Sequence, residues 1–116
     1  MKKVIKFCKK ELGITPKIKL KKFKSKHYYG WCEQDEDNRF IIGLNKNLSR
    51  KEKIKTICHE MVHVRQFEAG DLIMEEVIVW KNKDYTNHDY WTAPWEVEAR
   101  KLEKKLYKKY VKAHGK

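Results

Sequence analysis

The sequence has no long hydrophobic run, no CxxC pair and few arginines, and each shortage excludes something. No stretch approaches the roughly 20 apolar residues that a membrane-crossing helix needs, so a membrane protein is not expected. The N-terminus, Met1-Lys2-Lys3-Val4-Ile5-Lys6-Phe7-Cys8-Lys9-Lys10, opens like a secretory leader, but Lys6, Lys9 and Lys10 interrupt its apolar core. The expected address is the cytoplasm. Cysteine is limited to Cys8, Cys32 and Cys58, an odd and widely spaced set. That set suggests neither a disulfide framework nor a Cys-based zinc knuckle, and reduced core thiols are expected.

Arginine is confined to Arg39, Arg50, Arg65 and Arg100 among 28 basic residues, which face 16 acidic ones for a net charge of +12. Lysines spread over every segment read as a solvated surface rather than a site built for bidentate phosphate recognition. Such a field still attracts nucleic acid without regard to sequence, so nucleic acid stays open as a partner through the basic surface.

There is no internal repeat and no linker, and 116 residues fit one domain spanning 1–116. Hydrophobic residues make up 41%, including four Trp, six Tyr and four Phe, enough for one modest core. So small a domain gains from any metal it binds. A monomer is assumed.

Residues 2–12 place Val4, Ile5, Cys8 and Leu12 on one helical face, closed by Gly13 and Pro16. Lys17-Ile18-Lys19-Leu20-Lys21 alternates as a half-exposed strand. Two more strand-like runs, Tyr28 to Glu33 and Arg39 to Leu44, flank the polar turn Gln34-Asp35-Glu36-Asp37-Asn38. Together they predict a small antiparallel meander. Ser49-Arg50-Lys51-Glu52 is a capping box, and Ile54, Ile57, Cys58, Met61 and Val62 recur at helical spacing behind it, up to Gly70. The β-branched and aromatic stretch 72–85 reads as a hairpin or loop excursion. Pro94 opens a last, long helix with Trp95, Ala99, Leu102, Leu106 and Tyr110 on its inner face. The expected fold is therefore α+β, with an N-terminal helix, a three-stranded antiparallel sheet, a central helix, an excursion and a C-terminal helix.

His59-Glu60-Met61-Val62-His63, an HExxH pattern, falls in the middle of the central helix. Residues i and i+4 lie one turn apart on one face, so two imidazoles can share a metal ion. Glu60, one residue along, is placed to take a proton from metal-bound water and pass it to a leaving amine. A shuffled chain of this composition would produce the pattern about 0.02 times, which sets coincidence aside. Both histidines border the apolar stripe, which argues against two idle surface histidines.

A catalytic zinc takes a third protein ligand and keeps a position open for water. The extended metzincin pattern would need Gly and His where this chain has Gln66 and Ala69, so that class is excluded. His88, Asp89, Glu96 and Glu98 remain as candidates, and helical periodicity does not separate Glu96 from Glu98.

Pro94-Trp95-Glu96-Val97-Glu98-Ala99, on a helix after HExxH, resembles the second half of the gluzincin signature, in which a glutamate three residues before a small one supplies the third ligand. The resemblance implies Zn²⁺ held by His59, His63 and Glu96, with Ala99 as the small residue. The run Asp89 to Ala99 also resembles small SprT-like metallopeptidases of phages and bacteria, and the length is similar to that of minigluzincins. It implies a zincin-like domain that hydrolyses peptide or protein substrates, in host cytoplasm if phage-encoded. Arg100 stands where gluzincins often carry an acidic residue that orients a histidine ligand. SprT relatives use a third histidine, for which His88 is the nearby candidate.

Peptide hydrolysis also needs a donor for the tetrahedral oxyanion. Tyr85, His88 and Tyr90 lie in the loop before Glu96; Tyr90 is singled out, although core packing is the commoner role of aromatics. Two alternatives accompany the peptidase reading. One is a latent or non-catalytic zinc protein, with the tail Val111–Lys116 folded into the cleft or His114 on the metal. The other is a basic nucleic-acid-binding module, or a protease acting on DNA-bound proteins.

Overall fold

Helix α1 (Lys2–Leu12) buries Val4, Ile5 and Cys8 along one side, as the apolar spacing requires. Gly13 ends it at φ 67°, a left-handed position where a side chain is strained. Strands β1 (Ile18–Phe23), β2 (Gly30–Gln34) and β3 (Phe40–Asn45) follow, then helix α2 (Arg50–Glu68). Three short strands, β4 (Leu72–Met74), β5 (Ile78–Trp80) and β6 (Lys83–Asp84), precede helix α3 (Pro94–His114). The computed structural model describes residues 1–35, 37 and 39–115. Glu36 and Asn38 of the expected polar turn, and Lys116 of the tail, lie outside the described residues.

The α+β architecture and the element order are those expected, with one correction. The first sheet is mixed, not an antiparallel meander: its order is β1-β3-β2, with β1 parallel and β2 antiparallel to β3. Strand composition explains the order. Phe40-Ile41-Ile42-Gly43-Leu44 is an apolar run that takes the centre, where Phe40, Ile42 and Leu44 are fully buried. β1 carries a lysine at alternate positions and goes to the edge, where such charges discourage further pairing. The β1–β2 connection therefore passes over the end of β3. Asn45 holds it there, its Nδ2 donating to the carbonyls of Ser25 (2.6 Å) and Tyr28 (2.8 Å).

α2 starts where the capping box predicts. Ser49 Oγ accepts from the Glu52 N–H (3.2 Å), and the Ser49 N–H donates to Glu52 Oε1 (3.1 Å). Ile54, Ile57, Cys58, Met61 and Val62 are buried against α1, the sheet and α3 in the main core. Stretch 72–85 is a three-stranded antiparallel sheet, β4-β5-β6, so the hairpin reading holds. Lys81 and Asn82, at φ 48° and 70°, form its second turn with the two positive φ values that a tight two-residue hairpin uses. Leu72, Trp80, Ala93 and Trp95 build a second small core beneath it, joined to the first by Phe67. All three cysteines are free thiols; Cys8 and Cys58 lie buried with their sulfurs 3.8 Å apart. Among the described residues no helix is long and apolar enough to cross a membrane.

Candidate metal centre

α2 and α3 pack side by side and bring the two sequence motifs together. His59 and His63, one turn apart on α2, have ring centroids 4.9 Å apart and nearly perpendicular planes. Glu96, in the first turn of α3, reaches both: its Oε1 lies 3.0 Å from His59 Nε2 and its Oε2 3.2 Å from His63 Nε2. One ligand atom from each residue falls within 4.8 Å of the others, so the three side chains are able to hold one metal ion.

The opposite edges of the rings are also engaged. His59 Nδ1 meets Glu103 Oε1 at 2.9 Å, and His63 Nδ1 meets Gln66 Oε1 at 2.7 Å. Gln66 is itself fixed, its Nε2 donating to the Trp95 carbonyl and to Glu98 Oε1, both at 3.0 Å. Its oxygen is therefore the acceptor, and His63 Nδ1 carries the proton. A carboxylate does the same for His59. With both Nδ1 atoms so engaged, the two Nε2 atoms face the Glu96 carboxylate, donating to it while protonated and offering their lone pairs to a metal that displaces the protons.

The donor set fits a metal. Ligands about 2.0–2.1 Å from a tetrahedral zinc stand roughly 3.3 Å from one another, and the two histidine–glutamate separations of 3.0 and 3.2 Å are close to that. Two imidazoles and a carboxylate leave one position for water or substrate.

Electrostatics follow from the crowding of carboxylates around imidazoles. Burial alone depresses His59, but the Glu103 and Glu96 carboxylates outweigh it and raise its pKa to about 9. Burial raises Glu96, and hydrogen bonds from His59 and His63 overturn that and bring it to about 2. Glu60 is pushed up from the usual carboxylate range by burial, against the pull of the two histidines. Gly30 lets β2 come close here: a Cβ at this position would stand 2.6 Å from Thr56 Cγ2 and 3.7 Å from Glu60 Cγ.

The centre lies between two cavities, and Gly30, His59, Glu60 and Tyr90 border both. On the His63 side is a cavity of about 190 Å³ walled by Cys32, Phe67, Leu72 and Met74. On the His59 side a groove of about 510 Å³ is walled by Tyr28, Tyr29, Lys55, Trp91 and Arg100.

His59, Glu60, His63, Glu96 and Tyr90 thus stand around one cleft. Tyr90 is 60% exposed, and partial burial with the neighbouring Glu96 charge lifts its pKa to about 12. The other candidates lie elsewhere. His88 is exposed and bonded to Thr92 Oγ1 (3.0 Å), while Asp89 accepts from the Thr92 N–H. Tyr85 packs edge-on against Trp95, 5.8 Å between centroids. Glu98 supports Gln66 instead of meeting the imidazoles. His114, proposed above as a plug, packs on Phe7 and Tyr110 (5.7 and 4.6 Å) at the far end of α3. Eighteen helical residues place it roughly 27 Å from Glu96.

Glu103 and Gln66 were not among the sequence candidates. Glu103 stands seven residues after Glu96, two turns along the same face, and supplies the orienting carboxylate absent at position 100. Arg100 instead donates to the Trp91 carbonyl and stacks its guanidinium over the Trp91 ring at 4.9 Å.

These features define a metallopeptidase-like centre, and comparison with protein families agrees. The model of the peptidase M78 family, described as the IrrE N-terminal-like domain, matches residues 10–100, and the chain belongs to that family. No curated protein and no solved structure gives a match to the chain.

Proposed function

We propose that this chain is a zinc-dependent peptidase of the gluzincin type, related to the small SprT-like enzymes, with residues 1–116 acting as one zincin-like domain. The observation that carries the reading is the Glu96 carboxylate meeting both Nε2 atoms while Glu103 and Gln66 occupy both Nδ1 atoms. A bound zinc supplies Lewis acidity and a water of lowered pKa. His59, His63 and Glu96 are the protein ligands. Glu60, buried beside them, takes the proton of the attacking water and returns it to the leaving amine; its raised pKa suits a group that must both accept and donate. Tyr90, kept protonated by its high pKa, donates its hydroxyl to the developing oxyanion.

An extended peptide suits the flanking geometry. β2 and β4 are both edge strands, and a groove of about 460 Å³ between them is lined by Cys32, Glu33 and Gln34 on one side and Leu72, Ile73 and Met74 on the other. Backbone groups on a free edge can pair with a substrate strand. The enzyme works as a monomer in the cytoplasm on peptide or protein substrates. The test is cleavage of a fluorescence-quenched peptide library. Turnover that a chelator abolishes and zinc restores is the expected result. Absence of turnover by fully zinc-loaded protein across the library contradicts it.

A further inference from the structure

The side of the first sheet turned away from α2 carries a surface that holds none of the metal-centre residues, although Trp31 also borders the smaller cavity beside them. From Leu12 to Cys32 the chain has no acidic residue but six lysines, at positions 17, 19, 21, 22, 24 and 26. Residues paired across a sheet share a face, so the registers Lys21↔Gly43 and Trp31↔Gly43 put Lys21, Gly43 and Trp31 side by side. Lys19 and Phe23, two residues either side of Lys21, share that face. Ile42, Leu44 and Cys32 occupy the other face and pack into the core.

Trp31 is laid across this outer face. A Cβ at Gly43 would stand 2.0, 2.2 and 2.6 Å from indole atoms Cε2, Nε1 and Cδ2, so the ring plane, not its edge, covers the glycine. Phe23 lies beside it, 6.4 Å between centroids and 30° between planes. Both rings are half-buried and keep exposed surface. Lysines along an edge strand guard it against aggregation, but that role does not ask for an indole spread over a glycine next to a second ring. Glu33, paired with Ile41, is an acidic residue on this face and bounds the patch on the β2 side.

Two neighbouring rings flanked by cations match the needs of a single strand, which offers both base faces for stacking and phosphates for neutralisation. A duplex hides the base faces, and a lipid headgroup has no ring to stack. We propose that the outer face of the β1-β3-β2 sheet binds single-stranded nucleic acid, with Phe23 and Trp31 stacking on bases and Lys19 and Lys21 contacting phosphates. The proposal does not depend on the metal or on peptidase activity.

The test is fluorescence anisotropy of a labelled oligothymidylate of about 12 nucleotides, within the usual site sizes of single-strand binders, titrated with the full chain at several salt concentrations. Lys19→Glu/Lys21→Glu should weaken binding about tenfold or more and lower the salt slope by about two. Lys101→Glu/Lys105→Glu, the same charge change on the exposed side of α3, should cost much less. Trp31→Ala should lose about tenfold, while Trp31→Phe, which keeps a ring over Gly43, retains most of the affinity; thermal unfolding checks that each variant is folded. Equal losses in the two lysine pairs would overturn the proposal, as would a duplex of the same length binding as tightly. So would binding to phosphatidylserine vesicles with none to the oligonucleotide, which would make this a membrane-facing surface.

Discussion

The two ends of the cleft hold their histidines by different means. At the His63 end the Nδ1 partner is neutral Gln66, only 1% exposed and pinned by the Trp95 carbonyl and Glu98, and the cavity wall is Phe67, Leu72 and Met74. At the His59 end the partner is charged Glu103, partly exposed, and the groove is aromatic and basic. His63 is thus locked into place by the packing of α3 on α2, as a part of the fold. His59 is held by a charge that stabilises positive character on its ring. A neutral amide fixes geometry; a carboxylate fixes geometry and polarity together.

The largest effect falls on the group both ends share: Glu60→Gln should lower peptide turnover by about 10² to 10⁴, with zinc content unchanged by elemental analysis. Unchanged turnover would remove Glu60 from the chemistry. Next, Glu103→Gln keeps a hydrogen-bonding group at His59 but discards the charge. Zinc affinity, measured by competition with a chromophoric chelator, should fall roughly 10- to 100-fold while the protein stays folded. An unchanged affinity would mean that geometry alone matters at His59.

Gln66→Leu should act at the other end mainly on the fold. It leaves His63 Nδ1 without its acceptor and takes a second hydrogen bond from the Trp95 carbonyl, and should cost about 1–3 kcal/mol in denaturant unfolding of the metal-free protein. If Glu103→Gln destabilised the metal-free protein just as much, the proposed division between the two ends would fail. Ser49→Ala gives the smallest effect. It removes the cap of α2 more than two turns before His59 and should cost about 1 kcal/mol. Zinc affinity at saturating stability should be unmoved, and a drop there would couple the first turn of α2 to the site.

What the sequence made legible follows from how local each signal is. The capping box, the HExxH spacing and Pro94 are written within a few residues, and each stands in the structure where its spacing puts it. Glu96 needed the resemblance to choose it over Glu98, because both border the same apolar stripe; the packing of α3 on α2 turns one to the imidazoles and the other to Gln66. Glu103 was hidden among the charges of α3, since nothing in a helix's own periodicity says which glutamate a neighbouring helix will meet. The sheet order is a non-local property: β1 and β2 are neighbours in the chain but not in the sheet, where β3 lies between them. The contrast between the apolar run of β3 and the lysines of β1 already pointed to a buried centre and a charged edge.

The central claim is that His59, His63 and Glu96 form one metal centre. Elemental mass spectrometry of purified wild type beside Glu96→Ala, without added metal, tests it most directly. One zinc per wild-type chain and a strong loss in the variant are expected. Zinc retained by Glu96→Ala, or none in wild type even after reconstitution, would contradict it.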